Sequence, residues 1–337
     1  MRRMRWFRLI LGLSMVLFLT ACSGRTPSAG LSSTPAAGSG AQATTDRDAR
    51  LPELHPANLA ESEKLRVVTT TGIVGDVVKN VAGDRVELTT LIGPGQDPHT
   101  YQPTPRDIAA IESAHVVFIN GFHLEEGLES TIDAAAGKNS PVVSVSAGVQ
   151  PRPSSTGDHA AGDPHVWFDP ANVKRWTDNI EATLSALDPA NATAYRESAA
   201  AYSRQLDELD AQIRDRVALI PPERRKLVTD HEALGFFADR YGFQVLGAVI
   251  PSVSTSAEPS AGDLAALVKV IRAQGVPAIF VGTTTSPKVS DLVARETGAQ
   301  VLPIHTGETG AAGSGAETYL GMMRANVDTI VAGLTKG

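Results

Sequence analysis

The 337-residue sequence predicts an α/β protein with two parallel-sheet lobes joined by one long rigid helix. Three observations carry that prediction. Strand-like apolar runs alternate with helix-like stretches over short connections, in two successive blocks, as parallel βαβ units require. Between the blocks, apolar residues recur at spacings of three and four for about 30 residues, the period of one helix face. The length allows two domains at roughly 150 residues each.

The first block starts at Lys64. Strand patterns at 65–70, 86–92, 115–120 and 142–145 alternate with helix patterns at 73–81, 105–113 and 124–136. Thr104-Pro105-Arg106-Asp107 fits a capping box, which sets the start of the second helix. The linking helix comes next, with Asp188 placed to cap it and Pro189 at its first position. Tyr195, Ala199, Tyr202, Leu206, Leu209, Ile213, Val217 and Ile220 form its stripe, and Pro221-Pro222 stop it. At 1.5 Å per residue the rod spans roughly 45 Å, and a stripe packed along the lobes makes the link stiff. The second block gives strands at 226–229, 244–249, 278–282 and 300–304, and helices at 234–241, 261–274, 288–297 and 318–334. The lobes are therefore assigned to 63–188 and 222–337, with the helix at 189–221 between them.

The chain's first 21 residues set its compartment. Arg2, Arg3, Arg5 and Arg8 precede an apolar run at 9–19 that ends in Leu19-Thr20-Ala21-Cys22. This is a secretory signal at 1–21, its apolar core shorter than the ~20 residues a bilayer span needs. The small residues before Cys22 resemble a bacterial lipobox, which makes this Cys, the only one in the chain, the expected lipidation site and mature N-terminus. Ser, Gly, Ala, Thr and Pro dominate the residues that follow, so 22–62 reads as a flexible lipidated tether. One Cys excludes a disulfide scaffold, a Cys-based zinc ribbon and an iron–sulfur protein. The formal charge is −7, and removal of 1–21 takes away four arginines and leaves −11. So acidic a chain lacks the basic face that nucleic acid demands.

Three of the eight histidines share a setting. His99 lies in Gly95-Gln96-Asp97-Pro98-His99-Thr100-Tyr101 after a strand, and His165 in Asp163-Pro164-His165-Val166-Trp167. His231 directly follows the strand at 226–229. Loops at the carboxyl ends of parallel strands are where open α/β sheets bind ligands. One such imidazole is ordinarily structural, whereas three, two from the first lobe and one from the second, suggest a shared ligand between the lobes. Convergent neutral imidazoles suit a metal ion, held at about 2.0–2.1 Å if it is zinc. Binding requires deprotonated rings, so affinity falls with pH. Glu308, just after the last strand, would complete a tetrahedron, with His305 as its rival.

Other chemistries fail on inspection. His231-Glu232 begins like a zincin helix, but position 235 is Gly. Gly313-Ser314-Gly315 meets Thr318 where a dinucleotide fingerprint needs Gly, and there is no phosphate loop. His115 reads as structural, His55 as solvated, His123 as a helix-cap or supporting residue, and His159 as an exposed loop residue.

These residues resemble the metal-binding lipoprotein family, the solute-binding subunits of bacterial zinc and manganese ABC importers, including the adhesin-lipoprotein antigens. The carriers are Asp97-Pro98-His99 with Tyr101 and Pro103, Asp163-Pro164-His165-Val166-Trp167, and Thr229-Asp230-His231 ahead of Gly235-Phe236-Phe237. Gly313 to Met323 resembles the family's terminal segment. The resemblance implies two α/β lobes on a single rigid helix and a metal in the interlobe cleft on His99, His165, His231 and Glu308. Here Thr306-Gly307-Glu308 shifts a Glu by about one position where many members carry Asp. The resemblance associates His at the third ligand position with zinc and Glu with manganese, so Zn2+ is expected ahead of Mn2+. It further implies a monomer outside the cytoplasmic membrane that serves an ABC permease and its ATPase, and no enzyme activity. The competing readings are a manganese- or iron-binding member, an exported zinc hydrolase using Glu232 or Glu308 as base, and an adhesin with a structural metal.

Overall fold

The computed structural model describes residues 47–136, 140–154 and 161–335. Short apolar runs form two four-stranded sheets, parallel throughout. In the first, β1 (Leu65–Thr71), β2 (Val86–Ile92), β3 (Val116–Ile119) and β4 (Val142–Ser144) lie in the order β2-β1-β3-β4. In the second, β5 (Lys226–Thr229), β6 (Gln244–Ala248), β7 (Ala278–Gly282) and β8 (Gln300–Ile304) repeat it as β6-β5-β7-β8. Each sheet thus has a point, between β1 and β3 and between β5 and β7, where connections leave to opposite sides and open a crevice at the strand ends.

The helices of lobe one are α1 (Gly72–Ala82), α2 (Pro105–Ser113) and α3 (Glu129–Ala136). The expected capping box of α2 is present, with Thr104 Oγ1 accepting from Asp107 N at 3.3 Å and Asp107 Oδ2 accepting from Thr104 N at 2.7 Å. The chain turns before α3 instead of continuing a helix from 124. Gly121, Phe122 and His123 all have positive φ (95°, 52° and 59°), and Glu125 folds back to accept from Asn120 N at 2.7 Å.

Two helices, α4 (Pro170–Leu187) and α5 (Ala192–Val217), lie between the sheets in sequence. The sequence reading passed over α4, although Val173, Trp176, Ile180, Leu184 and Leu187 recur at helical spacing and are all buried. Asp169 caps it by accepting from Ala171 N at 2.8 Å. The expected long helix is α5, which at 26 residues spans roughly 39 Å. It starts three residues after Pro189, because Pro189–Asn191 forms a 3-10 turn. Asp188 accepts from Asn191 Nδ2 and Tyr195 Oη at 2.7 and 2.8 Å, and makes no backbone cap. Lobe two adds α6 (Gly235–Tyr241), α7 (Ala261–Gln274), α8 (Lys288–Thr297) and α9 (Tyr319–Thr335).

The stripe of α5 explains how the lobes are held. Leu206, Leu209, Ile213 and Val217 belong to one buried cluster with Val77, Val78 and Val81 of α1 and Val327, Ile330 and Val331 of α9. One hydrophobic core therefore runs through both lobes and the linking helix. Smaller clusters, around Val117 in lobe one and Ile279 in lobe two, cover the other faces of the sheets.

Residues 47–62, expected to end the tether, lie on lobe one. Leu51, Leu54, Ala57 and Leu59 pack against the main core, and Ala57 N donates to Leu187 O at 2.8 Å. Asp48 accepts from Ser144 Oγ at 2.6 Å and from Phe122 N at 2.9 Å. The signal segment, Cys22 and the rest of the expected tether lie outside the described residues, as does His159. No described helix is long and apolar enough to cross a membrane.

Candidate metal centre

Three loops at strand ends bring an imidazole to one place: His99 after β2, His165 after β4 and His231 after β5. Each ring is buried, with 5%, 0% and 1% of the residue exposed. His165 Nε2 lies 3.2 Å from His99 Nε2 and 3.2 Å from His231 Nε2. Their donor atoms all fall within 4.8 Å of one another, and they form the one such group of three or more candidate ligands among the described residues.

An aspartate shapes each loop. Asp97 Oδ1 accepts from His99 N at 3.0 Å, a local turn that lifts the ring from the strand end. Asp163 Oδ1 accepts from both His165 N at 3.0 Å and His165 Nδ1 at 2.9 Å. Asp230 Oδ1 does the same for His231, at 2.9 Å and 3.0 Å. An ionised carboxylate only accepts, so with both aspartates charged the Nδ1 of each ring carries a proton. When both rings are neutral, each Nε2 presents its lone pair to the other across 3.2 Å, and a second proton on His231 makes the same contact a hydrogen bond. A cation there can bond to both nitrogens, and the edge of a zinc–imidazole tetrahedron is about 3.3 Å, close to the spacing seen.

The electrostatics of the two buried aspartates differ. Burial pushes Asp163 up to about 7 despite the His165 N–H and the Arg152 charge. Burial acts on Asp230 too, but the His231 charge and the hydrogen bonds from His231 and Gly282 hold it below the ordinary carboxylate value. His231 in turn is penalised by burial, yet its Asp230 partner raises its pKa above the usual histidine value. Gly282 ends β7 at the switch point and donates its N–H to Asp230 Oδ2 at 2.9 Å. A Cβ there would sit 2.3 Å from Thr306 Oγ1, so only glycine allows this approach.

Glu308 is not brought into the group. It is buried, with 3% exposed, but its Oε1 accepts from Thr283 Oγ1 and lies 3.2 Å from His305 Nδ1. Its Oε2 accepts from Gly307 N at 3.2 Å. His305 is fixed through its backbone, which exchanges two hydrogen bonds with the Asn326 side chain. The loops of the two lobes nevertheless meet here: Thr255 Oγ1 donates to Asp97 Oδ2 at 2.6 Å, and a Cβ on Gly307 would touch Pro98 at 2.8 Å.

Comparisons with known proteins place the chain in a family. The model of the periplasmic component A of the zinc-uptake complex matches residues 67–333. Zinc-binding protein TroA of Treponema pallidum is 37% identical over 286 residues, which cover 82% of this chain and 91% of that one. The manganese-binding lipoprotein MntA of Halalkalibacterium halodurans is 35% identical, covering 82% and 90%. The iron-binding protein YfeA of Yersinia pestis is 34% identical, covering 85% and 90%. The solved structure of the T. pallidum periplasmic zinc-binding protein superposes with a TM-score of 0.76 at 35% identity, over 81% of this chain and all of that one. The chain belongs to the zinc-uptake component A family. It is thus a substrate-binding protein of the metal ABC transporter class.

Within this member of the family, the other described histidines stand apart from the cluster. His115 Nδ1 accepts from Arg66 N at 2.9 Å, His123 Nδ1 lies 2.6 Å from Glu129 Oε1, and His55 is exposed. The sequence reading quoted Asp97, Asp163 and Asp230 but gave them no role. Their adjacency to each histidine was the available signal, since a carboxylate one or two residues before a ring can reach its backbone and its Nδ1. Gly282, Thr255 and Arg152 carried no such signal, because their contacts cross from distant parts of the chain.

Proposed function

We propose that this protein captures Zn2+ between its lobes on His99, His165 and His231 and delivers it to an ABC permease driven by its ATPase. The observation that carries the reading is the convergence of three buried imidazoles from the two lobes, with the Nε2 atoms of His165 and His231 3.2 Å apart. The donor set supports zinc over manganese: three neutral imidazoles favour the softer ion, while manganese prefers oxygen donors. Glu308 is the fourth ligand in this reading. It would leave Thr283 and His305 for the ion, and His305 is the alternative. The buried, protein-lined site suits a cargo held without exchangeable water, in contrast to a hydrolytic centre with an open position. Export by segment 1–21 and lipidation at Cys22 would keep a monomer on the outer face of the cytoplasmic membrane, beside its permease.

The test is metal analysis of protein purified without added metal, followed by competition between zinc and manganese. Zinc should copurify and should displace manganese. Preferential retention of manganese or iron would move the chain to the specificity named for MntA or YfeA. Hydrolysis of an ester or peptide, lost on His231→Ala, would overturn the transport reading.

A further inference from the structure

His165 sits at the start of a tight 3-10 turn, Val166–Phe168, and the carbonyls from Pro164 to Trp167 are each held. Asn120 Nδ2 donates to Pro164 O at 3.0 Å, Asn172 Nδ2 to Val166 O at 3.0 Å, and Phe168 N to His165 O at 3.4 Å. These donors come from the sequence around lobe one. The Trp167 carbonyl is held differently: the hydroxyl of Tyr319, the first residue of α9 in lobe two, donates to it at 2.7 Å. Tyr319 is wholly buried, and its backbone N–H donates to Asp76 Oδ2 of α1 at 3.0 Å. Both ends of this residue therefore fasten lobe two to lobe one, and one end does so two residues from a ligand of the proposed centre.

A phenol is a costly choice for that position if packing alone were required. Phenylalanine fills the same volume without a polar atom to desolvate, and a buried hydroxyl contributes only when its partner is in place. Burial pushes the Tyr319 hydroxyl far above its ordinary pKa, so it stays a protonated donor. The Trp167 indole lies against the His165 ring, with centroids 5.3 Å apart and planes at 70°. A displacement of the Trp167 main chain therefore reaches the imidazole by two routes, through the backbone of the turn and through the ring contact. His165 must meet His231 Nε2, which lobe two carries. A lobe-two donor on the turn fixes that distance directly.

We propose that Tyr319 is a positioning residue for metal holding, its hydroxyl keeping the His165 turn in register with lobe two so that His165 and His231 present their Nε2 atoms to one ion. This rests on the three-histidine reading above. Tyr202 provides the internal control. Its hydroxyl lies in the same buried node, and burial with the nearby Asp76 raises its pKa, but it makes no bond to the Trp167 carbonyl.

The experiment loads full-length protein with Co2+, whose visible bands report ligand geometry, and measures metal release by chelator capture alongside the thermal midpoint. Tyr319→Phe should release metal about tenfold faster, in the range for outer-shell partners, and should alter the cobalt bands. Tyr202→Phe, which removes a buried hydroxyl that makes no hydrogen bond, should not lower the midpoint and should leave both metal readings at the native values. Substituting 4-aminophenylalanine for Tyr319, which restores a donor on the ring, should return the off-rate toward native. If Tyr319→Phe does not fold, 4-fluorophenylalanine at 319, similar in shape and lacking a donor, decides in its place and should release metal about tenfold faster. A native off-rate and spectrum in the variant that decides would overturn the positioning role. His165→Ala separates this from failure of the site itself. Loss of cobalt there with unaltered Tyr319→Phe overturns positioning alone, whereas retention of cobalt removes His165 from the site and takes the proposal with it.

Discussion

Asp163 in lobe one and Asp230 in lobe two do the same work for His165 and His231, and burial acts on them with opposite outcomes. Each is about 1% exposed, and each accepts a backbone N–H and a ring N–H on Oδ1. The difference is the second oxygen. Asp230 Oδ2 takes the Gly282 N–H at 2.9 Å, while Asp163 Oδ2 makes no hydrogen bond and faces Arg152 Nη1 at 3.7 Å. One aspartate stays below its usual pKa and the other rises to about 7. Of this pair, the carboxylate with both oxygens engaged is the one held as an anion. Glu125 of lobe one extends the pattern. It accepts from Thr70 Oγ1 and Asn120 N, and burial still pushes it to about 7.

The largest expected effect tests whether the two lobes contribute equally to the ion. His165→Ala and His231→Ala should each weaken zinc binding by more than about 1000-fold, roughly 4 kcal/mol, read by competition with a chromophoric chelator. A much smaller loss on one side would mean that the ion sits in the other lobe.

The next test concerns buried carboxylates in lobe one. Glu125 has a folded pKa of about 7 against 4.5 for the free side chain, so the folded state binds the extra proton between those values. Stability from this group is complete below pH 4.5 and is lost as pH rises through 7, by on the order of 3 kcal/mol. Glu125→Gln should remove that slope, seen as the difference between the two chemical-denaturation series. Identical slopes would show that its hydrogen bonds already match the cost of burial.

The orienting aspartates come next in size. Asp230→Asn should cost 10- to 100-fold in zinc affinity, on the order expected for a supporting partner, because an amide cannot accept at both oxygens from His231 and Gly282. Asp163→Asn, with one oxygen unpaired from the start, should cost less than about tenfold. The reverse ranking would break the contrast between the lobes. Glu308→Ala should have the smallest effect, a few-fold, since water can replace a single carboxylate oxygen in the coordination shell. A larger loss from His305→Ala would assign the fourth position to His305.

Most strands and helices were legible because each βα unit carries its own punctuation. The capping box at Thr104 and the apolar run of β7 needed no tertiary information. The approach of the three histidines was legible as well, since each follows a strand that ends at a switch point or beside one. Three features were hidden. The α4 helix carries a buried stripe of Val173, Trp176 and Ile180 that the eye passes over beside the longer stripe of α5. The segment 47–62 has too few apolar residues to predict burial, yet Leu51, Leu54 and Leu59 find grooves that only the folded lobe creates. The placement of Glu308 depends on Thr283, which lies 25 residues away at the end of another strand.

The unbroken apolar interior shared by both lobes and α5 bears on how a receiver could sense the cargo. Swinging the halves apart would tear packed Leu, Val and Ile contacts along the whole rod and expose them to water. A full carrier and an empty one should then share nearly the same silhouette. The permease must tell them apart by the local rim: the charge of the occupied cleft and the posture of the few loops around it.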